Sequence, residues 1–430
     1  MNLTADLTAD KFTLGDRAGS WVSKLGVIGL VALAIAAGLG LAGDAGQQSR
    51  FLHAYLTVFM YVTSIALGAL LFVLLMNVTS AGWSATVRRI AELVASTFPV
   101  LFVLSLPIVA AALMGQATLF PWANPHADFL PSAVAHMIET KTAYLNPVFF
   151  AGRIVFYFAT WTVIAGWAKR TSVAQDTSGD PLLTNRLKKL SAPAIPVMAL
   201  TLTFFALDML MALDPAWYST IFGVYYFAGG FGAFMALLAI LSKKLGDEGG
   251  ILHGMIRDEH YHDIGKLTFA FVMFWGYIAF SQYILIWYAN IPEETVWYKE
   301  REGLFWGHVG VLFLVKFLVP FLGLMSRHMK RVPARMVILC AWMLLMHLYD
   351  MFFLVMPSHL TTLEYLAAAG QGSHEAAESF AHFPFGVLEA LCVIGVVSIF
   401  AAAIARAFST TSILAVRDPR MSEAMTFHNP

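Results

Sequence analysis

Six ionisable side chains stand where charge is expensive. Arg153, Asp208, Lys316, His347, Asp350 and Glu389 each fall inside a long apolar run of the sequence. At the centre of a bilayer such a group costs about 2.5–3.5 kcal/mol on insertion scales, so each needs a partner or water and is a candidate for function. The chemistry these types offer is proton transfer, because carboxylate, imidazole and amine all exchange protons. His347 and Asp350 are three residues apart, which sets them on one helix face within reach of each other. Two cations against three carboxylates leave one acid without a counter-charge, to be protonated, shared or hydrated. These six are proton-path candidates. The competing expectation is that Arg153 and Lys316 pair with two of the acids and simply lock helices together.

The elements that must hold them follow from composition. The 430 residues are 59% hydrophobic and 13% charged, against about 25% charged in an ordinary soluble protein, which excludes a soluble enzyme. Lys plus Arg (27) equals Asp plus Glu (27), so no basic surface is left for nucleic acid. Cys340 and Cys392 lie in apolar runs, and the sequence has no zinc pair, iron-sulfur run or Cys-x-x-Cys-His. Any redox metal must belong to a partner. A helical crossing needs about 20 mostly apolar residues, and ten stretches qualify: 21–42, 51–76, 93–114, 147–167, 192–213, 218–241, 266–289, 304–324, 335–356 and 383–405. The fold class expected is therefore all-α, a polytopic membrane protein with about ten transmembrane helices. Of the 27 basic residues, Arg153 and Lys316 lie within spans and Arg50, Lys141, Lys299 and Arg301 fall on one side. The remaining 21 share the other side, which places both termini in the cytoplasm. The first span carries no cleavage pattern and is expected to be retained.

The loops have distinct characters. Residues 291–301 crowd Pro292, Glu293, Glu294, Trp297, Tyr298 and Arg301 together, more densely than membrane anchoring requires, and are expected to dock an external partner. His253, His260 and His262 lie among Asp258, Glu259 and Asp263, where a solvated charged loop is the ordinary reading and a metal site the sharper one. Asp214, beside Pro215, reads as a helix-end residue. Pro99, Pro107, Pro196 and Pro320 fall within spans, where each removes a backbone donor and can open a polar kink.

Sliding the chain against itself by 164 positions lays Gly68-Ala69-Leu70 on Gly232-Ala233-Phe234 and Tyr61 on Tyr225. Spans two to five and six to nine then form two four-helix units with the same direction. The organisation expected is a cytoplasmic segment (1–20), a first helix and loop (21–50), two four-helix bundles (51–213 and 214–356), a periplasmic loop (357–382), and a tenth helix with a cytoplasmic tail (383–430). Lys316 and Asp350 show no evident counterparts in the first unit.

The run SQYILIWYANIPEETVWYKER (281–301), preceded by HDIGKLTFAFVMFWGYIAF (262–280), resembles a signature of the NrfD-like, polysulfide-reductase-type membrane subunits of alternative complex III. FLHAYLTVFMYVTSIALGALLFVLL and AGWSATVRRIAE resemble the smaller of that complex's two such subunits. The resemblance covers most of the ten-span body. It implies an integral subunit of a quinol:cytochrome c oxidoreductase in the respiratory chain of a bacterial inner membrane. The partners it implies are a sister NrfD-like subunit, an iron-sulfur subunit and c-type cytochrome subunits, which hold the iron-sulfur clusters and haem c. This chain would carry no redox centre of its own. His53 and His308, at similar depth, are the quinone-contact candidates. Two other functions fit the residues: a stand-alone secondary transporter with a midplane charged site, and an inert anchor.

Overall fold

The computed structural model describes residues 8–303, 310–372, 375, 377–378 and 385–428. Among these, every regular element is helical. Among the described residues nine helices are long and apolar enough to cross a membrane, and a shorter apolar stretch covers Leu312–Met325. The chain is a membrane-embedded helical protein.

The elements are α1 (Gly15–Leu41), α2 (Ala45–Val78), α3 (Arg88–Ala95), α4 (Phe98–Leu113), α5 (Ser132–Glu139), α6 (Pro147–Ser178), α7 (Pro181–Met209), α8 (Phe222–Gly246), α9 (Asp258–Ala289) and α10 (Pro292–Gly303). A π-helical segment (Leu312–Leu318) then leads into α11 (Val319–Met325), α12 (Arg327–Arg331), α13 (Pro333–Ala368), α14 (Val387–Thr410) and α15 (Met421–Thr426). Local chemistry sets the ends. Asp44, Asn146 and Asp180 cap α2, α6 and α7 by accepting the backbone N–H of Gln47, Phe149 and Leu182 at 2.8–2.9 Å. Pro147, Pro181 and Pro333 occupy first turns, where a missing N–H costs nothing. The third crossing breaks between α3 and α4 just before Pro99, which cannot donate to the preceding turn.

Helices α2 and α8 form the centre. Of the most apolar window of α2, 83% is buried, against 17% for α1, which leaves α1 facing lipid. The two central helices cross at glycine. A Cβ on Gly68 would lie 2.8 Å from the Gly230 carbonyl, and one on Gly230 would lie 2.8 Å from the Ser64 carbonyl. Small residues thus let the backbones touch, and Tyr226 ties the crossing by donating to the Met60 carbonyl at 2.8 Å. These are the same two helices that the self-comparison superposes.

Two expectations change. The stretch 357–382 does not begin as a loop, because α13 continues through Pro357 to Ala368; at 36 residues it is about 54 Å long, well beyond the hydrocarbon layer. Arg88 and Arg89 are not loop cations in solvent. Both are fully buried; Arg88 donates to Asp418 at 2.6 Å and to Glu92 at 3.2 Å, and Arg89 to Asp176 at 2.8 Å. The carboxyl-terminal tail therefore folds back under the bundle, with Ile413, Leu414 and Ala424 buried.

Candidate functional site

Lys316 sits on the π segment, where a wider turn displaces one residue from α-helical register. Its neighbour Val315 would find its π-type donor at residue 320, which is proline and has none. Trp342 supplies the missing hydrogen, its indole N–H donating to the Val315 carbonyl at 3.1 Å. So held, the Lys316 amine donates to Asp350 Oδ2 and lies 3.9 Å from the centre of the Trp275 ring. Tyr225 donates its hydroxyl to the other oxygen, Oδ1, at 2.5 Å. His347 Nδ1 is 3.9 Å from Asp350 Oδ2, as the three-residue spacing requires, and Nε2 is 2.8 Å from Ser64 Oγ. A cavity of about 30 Å³ is lined by Gly229, Gly232, Trp275, Lys316 and His347. It has room for one water, beside a His347 Nδ1 and a Trp275 Nε1 that are buried with no hydrogen-bond partner among the described residues.

A second pair repeats the theme. Arg153 donates to both carboxylate oxygens of Asp208, at 2.8 and 2.9 Å, and Tyr157 adds its hydroxyl at 2.9 Å. The guanidinium also covers the Tyr144 ring at 3.9 Å. Arg153 belongs to α6 and Asp208 to α7, while Lys316 and Asp350 belong to the π segment and α13. From α2 onward these are the third and fourth apolar helices of the first set, and from α8 onward those of the second. The absence of a counterpart in the first unit is therefore corrected: Lys316 lies 163 positions after Arg153 (316 − 153), within one of the 164-residue repeat.

Glu389 stands apart. It accepts Arg50 Nε at 2.6 Å and Arg50 Nη2 at 2.9 Å, and takes the Gly386 N–H at the start of α14. The expected surplus acid does not exist, because α2 begins before residue 50 and carries Arg50 alongside α14. Each of the three carboxylates has its own cation. The six candidates form two pairs among themselves, with His347 attached to one of them, and Glu389 makes a third pair with Arg50.

His53 is fully buried rather than facing headgroups. Its Nδ1 bonds the Ser49 carbonyl at 2.8 Å, and its ring lies 5.6 Å from that of His359, which Ser49 Oγ contacts at 2.8 Å. His308 lies outside the described residues. Residues 292–301 fold within α10, and the docking expectation fails for three of them. Trp297, Tyr298 and Arg301 are buried against this chain's own helices. Arg301 stacks on Trp297 at 3.4 Å and donates to the carbonyls of Trp297, Phe353 and Leu354. Burial pushes its guanidinium down to about 10, opposed by Glu300 and Asp214; burial likewise raises Glu300 to about 7, opposed by Arg301. Pro292 and Glu293 are exposed and Glu294 half-buried. Asp214 is half-buried and caps its own turn by accepting Ala216 N–H at 3.0 Å.

Beneath α10 lies an aromatic cavity of about 330 Å³ lined by Tyr225, Trp275, Gln282, Tyr298, Phe317 and Phe353 among others. Tyr225 belongs both to this cavity and to the Asp350 cluster. No protein-family profile and no curated protein matches the chain. Among the described residues no three His, Cys, Asp or Glu side chains converge as metal ligands. Sequence reading missed Tyr225 and Tyr157 as site residues, since a hydroxyl in an apolar run carries no charge signal.

Proposed function

We propose that the chain is an integral, ten-crossing subunit of a quinol:cytochrome c oxidoreductase of the NrfD-like type. In this reading it lies in a bacterial inner membrane with both termini cytoplasmic, its two four-helix bundles anchoring periplasmic redox subunits. It carries protons through the outer half of the membrane.

The observation that supports proton movement is the sequence of titratable and hydroxyl groups from the aromatic cavity inward, interrupted between Lys316 and His347 by a cavity with room for one water. A proton reaching Tyr225 passes to Asp350 Oδ1 as the hydroxyl hands on its own hydrogen. A protonated Asp350 loosens its hold on the Lys316 amine, which turns toward the one-water cavity. There the ammonium gives a proton to a water, and the water gives one to His347 Nδ1 as Nε2 releases its own to Ser64 Oγ. The serine hydroxyl passes its hydrogen onward, and the neutral lysine amine recovers a proton from Asp350. Each hop replaces one hydrogen bond by another, so no isolated charge crosses apolar protein.

A transporter is the second reading, favoured by the matching positions of the Arg153–Asp208 and Lys316–Asp350 pairs in two helix sets. Purification in mild detergent separates the two. The redox reading expects c-type haem absorption to co-purify with the chain in stoichiometric amount. A colourless, monodisperse protein that exchanges a solute across vesicles would discard it in favour of transport.

A further inference from the structure

Helix α1 packs on α14 and α2. Between the beginning of α1, the end of α8 and the end of α14 lies a groove of about 820 Å³. Its floor is apolar, formed by Leu25, Leu237, Leu241, Ile404 and Phe408. Its rim is basic, with Lys11, Arg17 and Lys244 set against Asp16. Trp21 stands at this rim, 57% exposed, with the amines of Lys24 and Lys244 at 5.8 and 6.0 Å from its ring.

Two physical requirements meet here. An apolar slot that opens between membrane helices forfeits dispersion contacts unless acyl chains fill it. Any lipid supplies acyl chains, so selection falls to the rim. There, cations beside an interfacial tryptophan at the level of the headgroups favour a negative phosphate over a zwitterion. The volume accommodates a headgroup and the upper part of its chains.

We propose that this groove is a binding site for an anionic phospholipid, its chains on Leu237, Leu241, Ile404 and Phe408 and its phosphate between Arg17 and Lys244. The site shares no residue with the Asp350 cluster, and it stands or falls independently of the redox reading.

Photoactivatable phosphatidylglycerol and phosphatidylcholine test it, each at the same low mole fraction in phosphatidylethanolamine vesicles holding the full chain. Adducts are mapped to residues 11–25, 237–251 and 401–408. The phosphatidylglycerol probe should label these segments at least tenfold more than the phosphatidylcholine probe. Because each cation contributes about fivefold, R17Q/K244Q should lower phosphatidylglycerol labelling to the phosphatidylcholine level, while R186Q/K189Q, which removes exposed cations elsewhere, should leave it unchanged. Equal labelling by the two probes, or a preference that survives R17Q/K244Q, would overturn the assignment. L237W keeps the cations and narrows the floor, so it should reduce labelling by both probes; undiminished labelling would also overturn it. Inorganic phosphate in excess should not displace the label, and displacement would show an anion site that needs no lipid.

Discussion

Arg153 and Lys316, 163 positions apart (316 − 153), each reach from the third apolar helix of a set of four to an aspartate on the fourth. The two sites differ in what surrounds them. Around Arg153 the contacts are bidentate and a further tyrosine rim closes the pair, a geometry that holds. Lys316 is a single amine beside a small cavity, an imidazole and a tyrosine, so its proton and its position both have somewhere to go. The same placement thus serves as a clamp in one half and as a candidate relay in the other.

Breaking the Lys316–Asp350 pair from one side should cost about 3–5 kcal/mol, because a buried charge loses its counter-charge. K316M and D350N should each lower the unfolding temperature in detergent, whereas K316M/D350L should recover most of the loss. If the recovered double variant still assembles with haem-bearing partners and moves as many protons per electron as wild type, the relay role is wrong.

The crossing of α2 and α8 should tolerate no side chain. G230A places a methyl group 2.8 Å from both the Cβ and the carbonyl oxygen of Ser64, and overpacking of this kind costs about 1–3 kcal/mol. It should also move the Ser64 hydroxyl away from His347, which proton-uptake kinetics in vesicles would register as a slower rate. G310A, where a Cβ meets nothing within 4 Å, is the matched control.

Removing the Trp342 indole N–H in W342F should leave the half-buried Val315 carbonyl without that donor, at a cost of about 1 kcal/mol. Adding P320A restores a backbone donor at residue 320 and should return at least half of that stability, read by thermal unfolding. No recovery in the double variant would mean that Trp342 acts through packing alone.

Two carboxylates outside the spans should give opposite pH dependence. Glu300 is raised by burial from its ordinary 4.5 to about 7. The folded state therefore binds more protons between those values, so its stabilising contribution is complete below about 4.5 and is lost as pH rises through about 7. E300Q should flatten the fall in stability between pH 5 and 8. Asp418, although burial raises it, is held well below the usual carboxylate range by Arg88 and Arg420. Its contribution is present above the ordinary carboxylate value and is lost as pH falls through the lowered one. D418N should expose the tail after residue 411 to limited proteolysis at neutral pH, where the wild-type tail resists.

Much of the fold was legible because apolar length alone reports a membrane helix. The same-face contact of His347 and Asp350 was legible from their spacing, and Arg153 and Asp208 were visible as an available pair. Glu389 was misjudged for a local reason: α2 starts at Ala45 under an Asp44 cap, so Arg50 is a helical residue with a long stem rather than a loop cation, and snorkels to its partner. Residues 291–301 misled because Trp, Tyr and Arg are as useful for sealing a chain's own helix ends as for binding another protein. Nothing in the composition of α10 tells which. The π segment had only Pro320 as its signal, and a proline is equally compatible with an ordinary kink.

A π turn holds one residue too many for an α-helix, and that slack can travel along a helix like a ruck in a carpet, rotating every side chain it passes by about 100°. At Leu312–Leu318 it has a stop on one side. Pro320 has no N–H with which to close a turn beyond it, and Trp342 pins the Val315 carbonyl within it. Travel toward Leu312 would swing the Lys316 amine off Asp350, so the register of this one turn sets whether the pair is made.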